Sequence, residues 1–153
     1  MIEFKGKTVW ITGATSGIGK ALAIKLASLG ANLILSSRRE KELEEVKMKC
    51  DTECLILELD LENSTNFSEK VEKVISKFNR IDLLINNAGI SQRSMAFETS
   101  LEVDRKLMEI NYFGTVALTK AVLPVMQKQK NGHIVTVSSS SGKFGFFLRS
   151  SYS

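Results

Sequence analysis

Three glycines stand in Thr12-Gly13-Ala14-Thr15-Ser16-Gly17-Ile18-Gly19, between a short run of strand-favouring residues and a helical pattern. Glycines let the backbone turn tightly and bring its N–H groups close to a ligand. The helix that follows aims the positive end of its dipole at the same point. The combination suits a pyrophosphate, and Thr12, Thr15 and Ser16 add hydroxyls. A plain strand-to-helix turn would need one glycine, not three. The spacing is G-x3-G-x-G rather than the commoner G-x-G-x-x-G of dinucleotide sites. A kinase-type phosphate loop closes on Lys followed by Ser or Thr. Here Ala21 follows Lys20, and that reading fails.

A second group lies about 20 residues further on, where NAD-selective sites place an acid for the ribose hydroxyls. The chain reads Ser36-Ser37-Arg38-Arg39 there, and no acid precedes Glu40. Guanidinium groups at Arg38 and Arg39 offer bidentate contacts to a 2′-phosphate, and Ser37 offers a hydroxyl. The alternative is a pair of solvated arginines. Against it, cations at a helix N-terminus oppose the dipole by roughly 0.3–1 kcal/mol each. The expected cofactor is NADP in preference to NAD.

These groups need elements to hold them. Apolar runs at Thr8–Thr12, Asn32–Leu35, Leu55–Leu59, Asp82–Ile85 and His133–Val137 read as strands. Helical spacing runs over Ile18–Leu29, Glu40–Lys49, Phe67–Phe78 and one long stretch from Leu101 to about Lys128. Strand–helix alternation repeated in this way predicts a doubly wound α/β parallel sheet with helices on both faces. Pro124 falls inside the long helix, where a kink or an early end is expected. His133 and Trp10 read as structural residues.

The 153 residues make one domain, 43% hydrophobic and 25% charged, which excludes wholesale disorder. A net charge of +4 with no basic run marks no nucleic-acid surface. No stretch approaches the roughly 18 apolar residues of a membrane span, so none is expected. Cys50 and Cys54, a lone C-x3-C, offer too few ligands for zinc and read as two reduced thiols. The expected setting is reducing and cytoplasmic.

The chain resembles the short-chain dehydrogenase/reductase superfamily. The motifs that carry the resemblance stand in order: Thr12-Gly13-x3-Gly17-Ile18-Gly19, Asn86-Asn87-Ala88-Gly89, Asn111 with Gly114, Ser138-Ser139-x2-Gly142, and Tyr152. Asn87-Ala88-Gly89-Ile90-Ser91, Asn111-Tyr112-Phe113-Gly114 and Arg149-Ser150-Ser151-Tyr152 look more narrowly like its dehydrogenase/reductase member 7-like subgroup. The resemblance implies a Rossmann fold with strand order 3-2-1-4-5, lacking the last strands of the family. It implies an NADP(H)-dependent oxidoreductase acting on a carbonyl or secondary alcohol substrate. Some relatives carry an N-terminal membrane anchor. This chain opens at its first strand, and no anchor is expected.

The resemblance also assigns roles. Ser16 and Ile18 would lie along the pyrophosphate and Arg38 would meet the 2′-phosphate. Asp60 and Leu61 would flank the adenine. Asn87 and Ala88 would line the adenosine ribose side, with Gly89 permitting close approach. Ser139 would hold the substrate oxygen, Tyr152 would donate the proton, and Asn111 would hold a water in a proton relay. Hydride addition to a carbonyl builds negative charge on oxygen, which needs a donor and a proton; a serine hydroxyl and a phenol supply them. A free phenol ionises near pH 10, so acting near neutrality takes about 4 kcal/mol of differential stabilisation. The family's lysine four residues after the tyrosine would be residue 156, beyond Ser153. The chain is therefore expected to be a single NAD(P)-binding domain over 1–153, cut just after the catalytic tyrosine and inactive alone. Two alternatives stay open: a non-catalytic NADP-binding module, and a scaffold fragment that folds with a partner. The long helix is the expected subunit contact of a homodimer or homotetramer. Phe144, Phe146 and Phe147 are expected to be uncovered.

Overall fold

Val9, Trp10 and Ile11 have no accessible surface, as a strand covered on both faces requires. They belong to β1 (Thr8–Thr12), the centre of one parallel sheet in a computed structural model that describes residues 3–152. The other strands are β2 (Asn32–Ser37), β3 (Cys54–Glu58), β4 (Leu83–Asn86) and β5 (His133–Thr136). Their order is β3-β2-β1-β4-β5, as expected from the resemblance. Successive side chains alternate between faces. Val9, Ile11, Leu33 and Leu35 pack under α1 (Gly17–Ser28) and α2 (Glu40–Lys47), against Ala23, Leu26, Leu43 and Val46. Trp10, Ile34 and Leu84 face the other way, against Val71, Val74 and Phe78 of α3 (Phe67–Phe78) and against Leu118 and Val122.

The chain winds outward from β1 to β3, then returns to β4 on the opposite side. The crevice beyond the carboxyl ends of β1 and β4 is thus a topological switch point, the usual ligand position in such sheets. At the other end, Asp82 accepts from the Thr8 amide at 2.9 Å and pairs with Arg80, pinning β4 beside β1.

Two expectations need correction. The long helix is divided into α4 (Leu101–Met108) and α5 (Thr115–Gln129) by a π-helical stretch, Glu109–Gly114. Two contacts fall within that stretch. Asn111 reaches the backbone of Ile90, and Gly114 sits so close to Leu61 that a Cβ there would lie 2.7 Å from the leucine Cβ. An added residue in the turn lets the helix satisfy both. Pro124 does not end the helix early, since α5 runs on to Gln129 and closes at Lys130 in the left-handed region. Pro124 and Lys120 are both exposed, so the carbonyl that loses its donor lies on the watered side. No helix among the described residues is long and apolar enough to cross a membrane.

Cys50, just past α2, and Cys54, at the start of β3, are buried and unlinked. Burial, and then the neighbouring Cys50, push the Cys54 thiol up from 9.0 to about 12. At pH 8 its thiolate population should therefore lie far below that of a free thiol. Iodoacetamide is expected to label Cys54 in the native protein correspondingly more slowly than after denaturation, read by intact mass; equal rates would contradict the buried geometry.

β5 is the least covered strand. All four of its residues are exposed, with Ile134 at 38% and Val135 at 48%. Phe144, Phe146 and Phe147 are likewise exposed, as expected.

Candidate functional site

The glycine turn is shaped by the strand beside it. Gly13 and Gly17 have φ of +66° and +52°, in the left-handed region that a side chain makes costly. A Cβ at Gly13 would come within 2.9 Å of the Ala88 Cα, and one at Gly19 would strike the Gly13 carbonyl and the Asn87 amide. Gly17 faces open space. Asn87 therefore stands directly against the turn, and its Nδ2 donates to the carbonyls of Thr12 at 3.0 Å and Gly13 at 3.3 Å. The Thr12 hydroxyl accepts from the amides of Asn87 and Ala88, each at 3.0 Å. It is thus turned inward to β4, which corrects its expected role as a hydroxyl facing a ligand.

α1 opens with anion-binding character. Its N-cap, Ser16, makes no side-chain cap, and its first turn holds no acid. Its leading N–H groups are left for an incoming anion. Ile18, 59% exposed, lies on this same open turn.

The two arginines after β2 behave differently. Arg39 folds back over the turn, donating to Thr15 Oγ1 at 2.5 Å and Ser16 Oγ at 3.5 Å, and pairs with Glu42 at 3.6 Å. Ser37 Oγ accepts from the Arg39 amide at 3.2 Å. The Arg38 side chain is exposed and has no hydrogen-bond or ion-pair partner among the described residues. Arg39 is thus committed to the turn, and Arg38 is the uncommitted cation beside it in sequence. At the end of β3, Asp60 is half-buried and accepts from the Glu62 amide at 3.1 Å; Leu61 is 5% exposed beneath Gly114.

Across the switch point, Ser139 and Tyr152 line one open, solvent-facing cavity of about 550 Å³. Ser139 Oγ caps the short 3-10 turn Ser140–Gly142 by accepting from the Ser141 amide at 3.2 Å. The Tyr152 hydroxyl makes no hydrogen bond among the described residues; its amide donates to the Arg149 carbonyl at 2.9 Å. Asn111 is not in the wall. Its amide is held at both ends by Ile90, accepting from the Ile90 N–H at 2.8 Å and donating to the Ile90 carbonyl at 2.9 Å. It steadies the strand exit from Asn87 through Gly89 to Ser91. Gly89 lies directly against it, since a Cβ would sit 3.2 Å from Asn111 Oδ1.

The cavity also has wall residues to which sequence reasoning gave no role: Ser91, Arg93 and Arg149. Arg149 bonds the Ser91 hydroxyl, and Ser94 pairs with Arg149 as a parallel bridge. The signal for Arg149 was its place three residues before Tyr152. Arg93 carried none.

In sequence and in fold the chain is similar to known proteins. The family model described as short chain dehydrogenase matches residues 7–153. "Dehydrogenase/reductase SDR family member 7" of Homo sapiens is 49% identical over 147 residues, covering 92% of this chain and 43% of that protein. "Dehydrogenase/reductase SDR family protein 7-like" of Drosophila melanogaster is 44% identical, covering 99% of this chain and 48% of that protein. The chain spans about half the length of the curated relatives it matches. Among solved structures, levodione reductase superposes with a TM-score of 0.92 at 31% identity, covering 97% of this chain and 60% of that one. A metagenomic short-chain oxidoreductase in complex with NADP gives 0.92 at 30%, covering 99% and 70%.

Proposed function

The chain belongs to the short chain dehydrogenase family, and on that premise we propose that it forms the cofactor-binding half of an NADP(H)-dependent oxidoreductase for carbonyl or secondary alcohol substrates. The observation that carries this reading is the shared cavity of Ser139 and Tyr152, across the switch point from an uncapped, acid-free helix start. The residues present fit a dinucleotide. The α1 N–H groups with Gly17 would take its pyrophosphate, and Arg38 with Ser37 and Arg39 its 2′-phosphate. The chemistry supplied by a bound nicotinamide cofactor is hydride transfer to or from carbon.

The chain's own residues do the rest. Ser139 donates a hydrogen bond to the substrate oxygen and Tyr152 supplies its proton, so charge developing on oxygen is met as it forms. Asn111 holds Ile90, and through it the wall that carries Ser91. On this reading turnover draws on a longer protein of which this chain would be a part. The exposed Leu101, Val103, Met108, Tyr112 and Phe113 along α4 and the π stretch support a homodimer or homotetramer. The unlinked Cys50 and Cys54 support a reducing compartment such as the cytoplasm.

The cofactor assignment is tested by titrating NADPH and NADH into the full-length protein and its Arg38→Ala variant, read by nicotinamide fluorescence. Removing a charge-assisted contact should weaken NADPH about 10–100-fold and leave NADH within about twofold. Equal NADPH affinity would overturn the assignment. Binding without reduction of any ketone would favour the non-catalytic module.

A further inference from the structure

The cavity that holds Ser139 and Tyr152 has a second chemical character. Arg93 and Arg149 line the same wall, and no acid does. Among the described residues neither guanidinium has a carboxylate partner. Their proximity is built, not incidental. Ser94 donates its amide to the Leu148 carbonyl at 3.2 Å and bridges Arg149, so loop 91–94 and segment 148–152 run side by side. Gln92, only 8% exposed, ties the loop from beneath, its Nε2 donating to Ser94 Oγ at 2.6 Å and Thr99 Oγ1 at 3.0 Å. Arg93 stands between two such fixed residues. Two like charges facing one cavity repel each other, and an anion between them removes that repulsion. Phe147, in the same wall, adds apolar surface.

We propose that the substrate of this site is an oxo acid, whose carbonyl lies at Ser139 and Tyr152 while its carboxylate is held by Arg93 and Arg149. The proposal rests on the oxidoreductase reading above and deepens it. A carboxylate suits the planar fork of arginine better than a neutral amide of the same shape. The cavity, at about 550 Å³, has room for a ring-sized acid. Phe147 then packs against the carbon skeleton that joins carbonyl and carboxylate.

The test uses the full-length protein, NADPH and two matched ketone pairs: 4-acetylbenzoate with 4-acetylbenzamide, and 5-oxohexanoate with 5-oxohexanamide. The expected result is a kcat/KM ratio of acid to amide of about tenfold or more. The ratio should fall toward one in Arg93→Gln and partly return in Arg93→Lys. Arg149→Gln should act the same way, and Arg93 carries the test if loss of the Ser91 contact unfolds that variant. A ratio compares two substrates on one protein, so a general loss of folding cannot imitate its collapse. Amides reduced as fast as acids would overturn the proposal and leave the oxidoreductase reading standing. No reduction of any of the four ketones, with NADPH bound, would overturn both.

Discussion

Tyr152→Phe in the full-length protein is expected to lower kcat by about 10²–10⁴-fold, the usual weight of a positioned proton donor. The substitution removes one oxygen and keeps the ring, so the half-buried side chain retains its packing. Its hydroxyl bonds nothing among the described residues, so no internal partner is stranded. The loss should therefore fall on turnover while the melting temperature stays put. Steady-state rates beside a thermal melt separate the two. Unchanged kcat would remove Tyr152 from the reaction, and a drop in melting temperature that matched the lost activity would make it a structural residue. Ser139→Ala is the weaker partner experiment, because Ser139 Oγ also caps a turn.

Trp10→Ala should be the most damaging change in the core. Trp10 has no accessible surface and packs beneath Ile34, Leu84 and Leu118. Aromatic-to-alanine changes at such sites cost about 3–5 kcal/mol. A second cost follows from its Nε1, which donates to Ser36 Oγ at 2.8 Å. Ser36 is fully buried, so its hydroxyl would lose that donor inside the core. The Ser36 carbonyl also accepts from the Ala14 amide at 3.2 Å, within the glycine turn, so the damage reaches the proposed cofactor site. Urea unfolding followed by circular dichroism should show the midpoint shift. Trp10→Phe, which restores most of the volume but not the donor, should recover part of the loss. A shift under 1 kcal/mol, on the scale of a surface change, would contradict the packing described.

The sheet was legible because its strands are short and apolar on both faces, as at Val9-Trp10-Ile11 and Leu33-Ile34-Leu35. Strand ends moved by a residue or two. β2, for example, runs on to Ser37, because pairing with β3 and not apolarity decides where it stops. The π stretch was not legible. Its origin lies in Ile90 and Leu61, which meet Asn111 and Gly114 only after folding. Thr12 was misread for a similar reason: a threonine at a strand end serves a ligand or a neighbouring strand equally well, and only the position of Asn87 decides. Arg38 and Arg39 look alike in sequence, and it takes the folded turn to commit one to Thr15 and leave the other free. The cationic wall was least visible, since Ser91 and Arg149 meet across 58 positions of chain.

The bare outer margin of β5 bears on how such a protein is made. Its four residues present main-chain donors and acceptors along a row of exposed isoleucine and valine, with three phenylalanines close behind in sequence. On a polysome, many copies of this half emerge from neighbouring ribosomes within reach of one another. Each such margin is a template for strand addition by the next nascent chain. A chaperone that shields this margin is therefore expected to raise the soluble yield of the chain, and crowded synthesis to lower it.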